Sequence, residues 1–294
     1  MEFDASLKSP LKFVQQKCDE ELYAFKRQKP TLFWNQCVRF VEEDINYPQL
    51  NVKINLSRYG GKLFHGQQSR VQYSNHDEAR YLKANINTRK LFYNSLLMVE
   101  TMSVIDFTAW LGRLHKSMQY RKVDGLVKRQ LFTERHASIV KKNVLPIAEV
   151  YGDSYNSIGG GPIFKGIPPM MLPRDEIENG KIVHFYPDPE KCSDVYLRLA
   201  LAVLKDLLAS HYANKEEYVY KVAYFLQLLV NLHRFLAVNF SLYMNMANGL
   251  LELIGIDGIP HGLIDYVALR LQPESFQRYF YDQTKKSALK SPTI

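Results

Sequence analysis

The chain has 294 residues, of which 46% are hydrophobic and 23% charged, the balance of a soluble globular protein with a sizeable core. No apolar run is long enough to span a bilayer. The net charge of +8 admits acidic partners, but the basic residues are dispersed in pairs such as Arg121-Lys122 and Lys141-Lys142, so nucleic acid is not expected among them.

In residues 1 to 50, Leu11, Val14, Leu22, Phe25 and Phe33 predict two helices parted near Lys29-Pro30, with Pro30 or Thr31 opening the second. Val38, Phe40 and Val41 continue its apolar face up to Asn46-Tyr47-Pro48. Val52, Ile54 and Leu56 then alternate with polar residues, the pattern of a strand, and Gly60-Gly61 turns the chain toward Leu63-Phe64. From Ser74, Ala79, Leu82, Ile86, Lys90 and Tyr93 keep helical spacing, and Leu96, Leu97 and Val99 predict a buried patch. Ile105, Trp110, Leu111 and Leu114 predict an amphipathic helix ending near His115-Lys116.

Residues 120 to 187 are the irregular middle. Ile139-Val140 and Val144 to Ile147 predict short strands, Gly159-Gly160-Gly161-Pro162 a loop, and Ile182 to Tyr186 a strand before Pro187. Backbone N–H groups of the triple glycine can cradle a phosphate, but no Gly-Lys-Ser/Thr follows, so this is no Walker motif. A long loop-rich segment is often a functional surface, and Tyr151, Tyr155, Phe164 and Tyr186 are the aromatics an interface there would use. The alternative is a solvent-facing insertion.

Asp194 to Ser210 is a strongly apolar helix capped by Ser193 or Asp194. A second runs from Glu216 to Leu236 on Val219, Val222, Ala223, Leu226, Leu229 and Val230, with His233 in its last turn. A break follows, and Asn239 or Ser241 caps the next helix, which Gly255 closes. Leu263, Tyr266, Leu269, Phe276 and Tyr279 predict one or two more helices before a frayed, Lys-rich tail from Gln283.

A histidine at one helix end, facing the N-terminus of the next, suits phosphate chemistry. The N–H groups of the second helix attract an anion, and the imidazole can accept a proton. The alternative is a packing histidine beside an ordinary turn. His184, His211, His233 and His261 form no ligand spacing such as HExxH, so no metal site is expected. Cys18, Cys37 and Cys192 are scattered and odd in number, which fits a reducing compartment. Met1-Glu2-Phe3-Asp4 lacks the basic start and apolar block of a conventional signal peptide. The protein is therefore expected in the cytoplasm, or exported by a dedicated bacterial system into a host cell.

His233-Arg234-Phe235-Leu236-Ala237-Val238-Asn239-Phe240-Ser241 resembles the motif H-P-F-x-[D/E]-G-N-G-R-x-x-R of the Fic/Doc (Fido) family. Trp110 to His115 resembles that family's L-x-x-L-H helix, Val183 to Pro189 its F-x-P-P stretch, and Leu253 and Gly255 the end of its last motif helix. The order is kept over about residues 74 to 256. The resemblance implies a mainly α fold: a Fic-like helical bundle over 74–262 with a small β-hairpin flap within about 125–165. An N-terminal α/β extension would cover 1–73, and a C-terminal helical extension and tail 263–294.

The usual activity of the family is transfer of AMP from ATP to a protein hydroxyl. Some members move UMP, phosphocholine or phosphate. Carried over by position, His233 would be the general base, Phe235 the anchor of the loop, and Asn239 and Ser241 would line the substrate-binding turn. Ser74 and Glu78 match part of the family's autoinhibitory motif, but the arginine such a glutamate pairs with is missing, so the match is read as coincidence.

The departures bear on chemistry. Ala237 replaces the metal-binding carboxylate, Val238 and Phe240 the two glycines, and Ser241 and Met244 the two arginines. Each such charge partner is worth on the order of 3 kcal/mol in a phosphoryl-transfer transition state. The expected function is therefore a diverged transferase that uses a nucleotide-type or related phosphate-containing donor on a protein target. The alternative is an inactive Fic-fold binding protein or secreted effector. No cofactor is assigned.

Overall fold

The helix capped by His233 is central to the described residues. The computed structural model describes residues 46–47, 52–53, 75–118, 132–153, 161–209, 214–235, 238–256, 258–259 and 263–290. In chain order these form β1 (Asn46–Tyr47), β2 (Val52–Lys53), α1 (Asn75–Leu96), α2 (Val104–Met118), β3 (Phe132–His136) and α3 (Ala137–Val150). Then come β4 (Arg174–Glu178), β5 (Lys181–Phe185), α4 (Pro189–Ala209), α5 (Lys215–Leu232), α6 (Asn239–Glu252), α7 (Ile264–Ala268) and α8 (Pro273–Lys290). The described chain is mainly helical. The helices expected before residue 45 and the return strand at Leu63-Phe64 lie outside the described residues. So do Ile54 and Leu56, whereas Val52 pairs with Tyr47 in a two-residue ladder.

Every side chain of α5 from Phe225 to Leu232 is buried, and so is every one of α6 from Leu242 to Leu251. Helices buried on all sides belong to the interior. Helix α5 packs against α4, α6, α7 and α8, and α6 packs against α1 and α2. Phe276 and Phe280 of α8 join the same core as Trp110 of α2 and Leu204 of α4. Helix α5 starts where Asn214 Oδ1 accepts the Glu217 N–H at 2.8 Å, with Glu216 and Glu217 set against the positive end of the helix.

Two buried amides on α5 fasten the C-terminal segment. Gln227 donates to the carbonyls of Ala268 and Leu271, at 3.1 and 2.8 Å, and Asn231 donates to Ala268 at 2.9 Å. These carbonyls end α7 and its following turn, where the helix itself supplies no donor. On the opposite side, Arg89 of α1 donates to Asn245 Oδ1 at 2.9 Å and forms an ion pair with Glu252. Tyr93 bonds both Glu252 and the Gly249 carbonyl. Helices α1 and α6 are therefore joined by charge as well as by apolar packing.

The irregular middle holds more helix than its sequence predicts. Ile139-Val140 and Val144 to Ile147 lie in α3, not in strands. Val140, Val144 and Ala148 are buried at four-residue spacing, and this shared face outweighs the strand preference of the β-branched residues. Among the described residues the hairpin is β4–β5, at 174–185, and β3 pairs with the other side of β5; part of 125–165, where the flap is expected, lies outside the described residues. Asn179 and Gly180 both have positive φ, 47° and 73°, the backbone of a two-residue turn that matches strand twist. This turn sets Asp175 opposite His184.

Some boundaries and faces also differ from expectation. Helix α4 begins at Pro189, ahead of Ser193 and Asp194, with the Asp188 carbonyl accepting the Cys192 N–H at 2.8 Å. Leu97 and Ile105 are exposed, while Leu96, Val99 and Phe107 are buried. The tail keeps helical form to Lys290. Gly255 does close the helical segment: with φ 67° it lets its own N–H reach Glu252 and the Ile256 N–H reach Leu251, both at 3.0 Å.

Candidate functional site

Helix α5 stops because His233 turns left-handed, with φ 44° and ψ 51° and its N–H still on the Leu229 carbonyl. The second helix does not restart on an Asn239 or Ser241 cap. Val238 precedes it, also left-handed at φ 55° and ψ 16°, and α6 begins at Asn239 with no side-chain cap. A left-handed β-branched residue is a true outlier, because Cβ crowds the carbonyl that follows it.

Asn239 turns its side chain back along the chain. Its Oδ1 accepts the Phe235 N–H at 2.9 Å and its Nδ2 donates to the Phe235 carbonyl at 2.5 Å. Tyr243 adds an O–H to the same Oδ1 at 3.3 Å. One amide therefore clamps both backbone groups of Phe235 and closes the break between α5 and α6. The N–H and O–H donors around Oδ1 fix the orientation of the amide. Its second Nδ2 hydrogen then faces His233 Nε2, 3.3 Å away, where that nitrogen can accept it.

The His233 ring is covered. It stacks on Tyr186, with centroids 3.9 Å apart and planes 10° apart, and Phe240 leans against it at 6.4 Å. Only 8% of the residue is exposed. Phe235 is half-buried and stacks on His115 of α2, with centroids 4.0 Å apart and planes 9° apart. Arg234 donates to Ser193 Oγ of α4 at 2.9 Å. Ser241 is half-buried in the first turn of α6, and Ala237 lies outside the described residues. His233, Phe235 and Asn239 thus meet at one seam held by α2, α4, α5 and α6.

A second cluster lies beneath Tyr186. His184 and Asp175 are fully buried, and His184 Nδ1 is 2.6 Å from Asp175 Oδ1. Arg270 donates to the other carboxylate oxygen at 3.0 Å. Burial holds the His184 imidazole below its usual pKa; the Asp175 hydrogen bond and charge pull it up, and the Arg270 charge adds to the lowering. Nδ1–H therefore donates to Asp175 and Nε2 keeps its lone pair. The His184 ring meets Tyr186 edge-on, at 4.9 Å and 74°. Tyr186 thus joins two of the four candidate histidines; His211 and His261 lie outside the described residues.

Sequence reading missed Asp175 and Arg270 and placed Tyr186 on an interface. Phe164 and Tyr186 are in the core, and Tyr151 is half-buried with its hydroxyl on Asp282 at 2.7 Å. Tyr155, Gly159 and Gly160 lie outside the described residues. At Gly161 a Cβ would come within 2.6 Å of the Pro173 carbonyl oxygen, so that glycine answers to packing. No group of three His, Cys, Asp or Glu among the described residues is placed to hold a metal ion, and no described helix is long and apolar enough to cross a membrane.

Comparison with protein-family models, curated proteins and solved structures finds no match to this chain.

Proposed function

We propose that this chain is a Fic-like protein whose motif loop has left Mg-ATP chemistry and which acts by binding a protein partner. The motif's histidine, phenylalanine and asparagine are present in order as His233, Phe235 and Asn239. Val238 stands at the motif's first glycine and keeps a backbone that favours glycine. The hairpin precedes Pro187 and α4, which leads on to the α5–α6 unit. These points support the scaffold; the covered His233 ring carries the functional half. A general base needs its lone pair free and its ring within reach of the hydroxyl. Here Asn239 Nδ2 faces Nε2 and Tyr186 covers the ring. Outer strand β4 leaves one side unpaired within its sheet, an edge that can add an extended peptide.

A second reading is transfer from a phosphate-containing donor other than Mg-ATP. Strain at Val238 favours it, because costly backbone conformations gather at working sites. In that reading Tyr186 swings away and Nε2 takes the proton of a target hydroxyl. Thermal unfolding with a panel of nucleotides, nucleotide sugars and CDP-choline, with and without Mg²⁺, separates the two. The binding reading expects no stabilisation by any of them. A shift of several degrees with one donor supports transfer.

A further inference from the structure

His184 is one of the buried side chains with a polar atom that meets no hydrogen-bonding partner among the described residues. None of its surface is exposed, and among the described residues Nε2 meets no hydrogen-bonding partner. A bare lone pair buried without a partner is tolerable, but an N–H⁺ at the same place is not. Two charged groups are described beside the imidazole. Asp175 faces it from β4, and Arg270, just past α7, fills the other oxygen of that carboxylate. Its register partner on β3 is Thr133. Tyr186 lies between it and His233 at the end of α5.

A second proton on this ring would create a buried cation beside the Arg270 guanidinium, with one carboxylate between two positive groups. The added N–H would have no acceptor unless β5 moves. Tyr186 lies two residues along the chain from His184, so movement of the strand end shifts the ring that covers His233.

We propose that His184, gripped by Asp175, is an acid-sensitive latch on the hairpin: its protonation loosens β5, lifts Tyr186 and uncovers His233. The latch governs access to His233 whatever the seam binds, so its failure leaves the preceding reading standing.

Hydrogen exchange of the hairpin amides, corrected for intrinsic rates and compared at about pH 7.5 and about pH 5.5, tests the latch, with histidine NMR reporting the His233 ring. Wild-type protection over 181–186 is expected to fall about tenfold at the lower pH, the response to one pH unit of coupled protonation. The His233 ring protons should move downfield as the Tyr186 ring current is lost. In His184→Asn the amide can still donate to Asp175 but does not titrate, so both changes should vanish. Equal protection at both values in the wild type overturns the latch, as does an unchanged response in His184→Asn. Should that variant not fold, the wild-type titration decides alone: His184 must take its proton over the same pH range in which protection falls.

Discussion

Tyr186 and His233 lie face to face, 3.9 Å between ring centroids, although 47 positions separate them in sequence. One follows a strand and the other ends a helix, so their stack fixes the hairpin against the core. Tyr186→Ala should move the His233 ring protons downfield in NMR. It should also cost on the order of 3 kcal/mol in urea unfolding, as for other large-to-small changes at buried aromatics.

The Asn239 clamp predicts a loss larger than one side chain's packing. Asn239→Ala leaves the Phe235 N–H and carbonyl without their partner, at a cost of about 1–3 kcal/mol. Asn239→Asp keeps an acceptor for the N–H but sets a carboxylate oxygen against the carbonyl, and should fall between the wild type and the alanine variant. Chemical denaturation of the three chains checks the order.

Strain at Val238 is measured by comparing two truncations. Val238→Ala and Val238→Gly both remove the isopropyl group, but only glycine relieves the left-handed backbone. The glycine variant should be the more stable by about 1 kcal/mol, a reversal of the usual order in which alanine leads.

Gly249 is required by packing inside α6. A Cβ there would stand 2.9 Å from the buried Phe92 ring and 3.3 Å from Arg89 Cδ. Alanine is the better helix former by about 1 kcal/mol. Overpacking against a fully buried ring costs about 1–3 kcal/mol and should win. Gly249→Ala is therefore expected to lower the unfolding midpoint, and a raised midpoint would show that Phe92 can move.

The direction of the His184 shift sets a pH dependence. Its pKa is lower folded than unfolded, so at mildly acid pH the unfolded chain binds the extra proton. Its contribution is fully present above about pH 6.5, the unfolded value, and is lost as pH falls below it, by up to about 1.4 kcal/mol per unit. Urea titrations from neutral to mildly acid pH should show this slope, and His184→Asn should flatten it.

The α5–α6 break and its Gly255 terminus are legible in the sequence, because Ala237 to Ser241 interrupts the helical spacing, but the sequence carries the first helix to Leu236 and the structure ends it at Leu232. The conformation inside the break was not legible. Asn239 reads as a forward-facing cap, but its amide is drawn back to Phe235, where it satisfies two backbone groups instead of one. Val140 and Val144 read as strand residues by local preference, which the four-residue spacing they share with Ala148 outweighs. Asn179-Gly180 is a turn signal that places Asp175 opposite His184. Arg270 lies 95 residues from Asp175, and no local pattern joins them. Buried charge chosen by tertiary contact leaves little trace along a chain.

Label transfer tests the central claim most directly. The purified protein would be incubated with Mg²⁺, α-labelled ATP and a total protein extract, beside His233→Ala. A seam that has left Mg-ATP chemistry predicts the same background labelling in both. Labelling of any protein by the wild type that disappears in His233→Ala would contradict it.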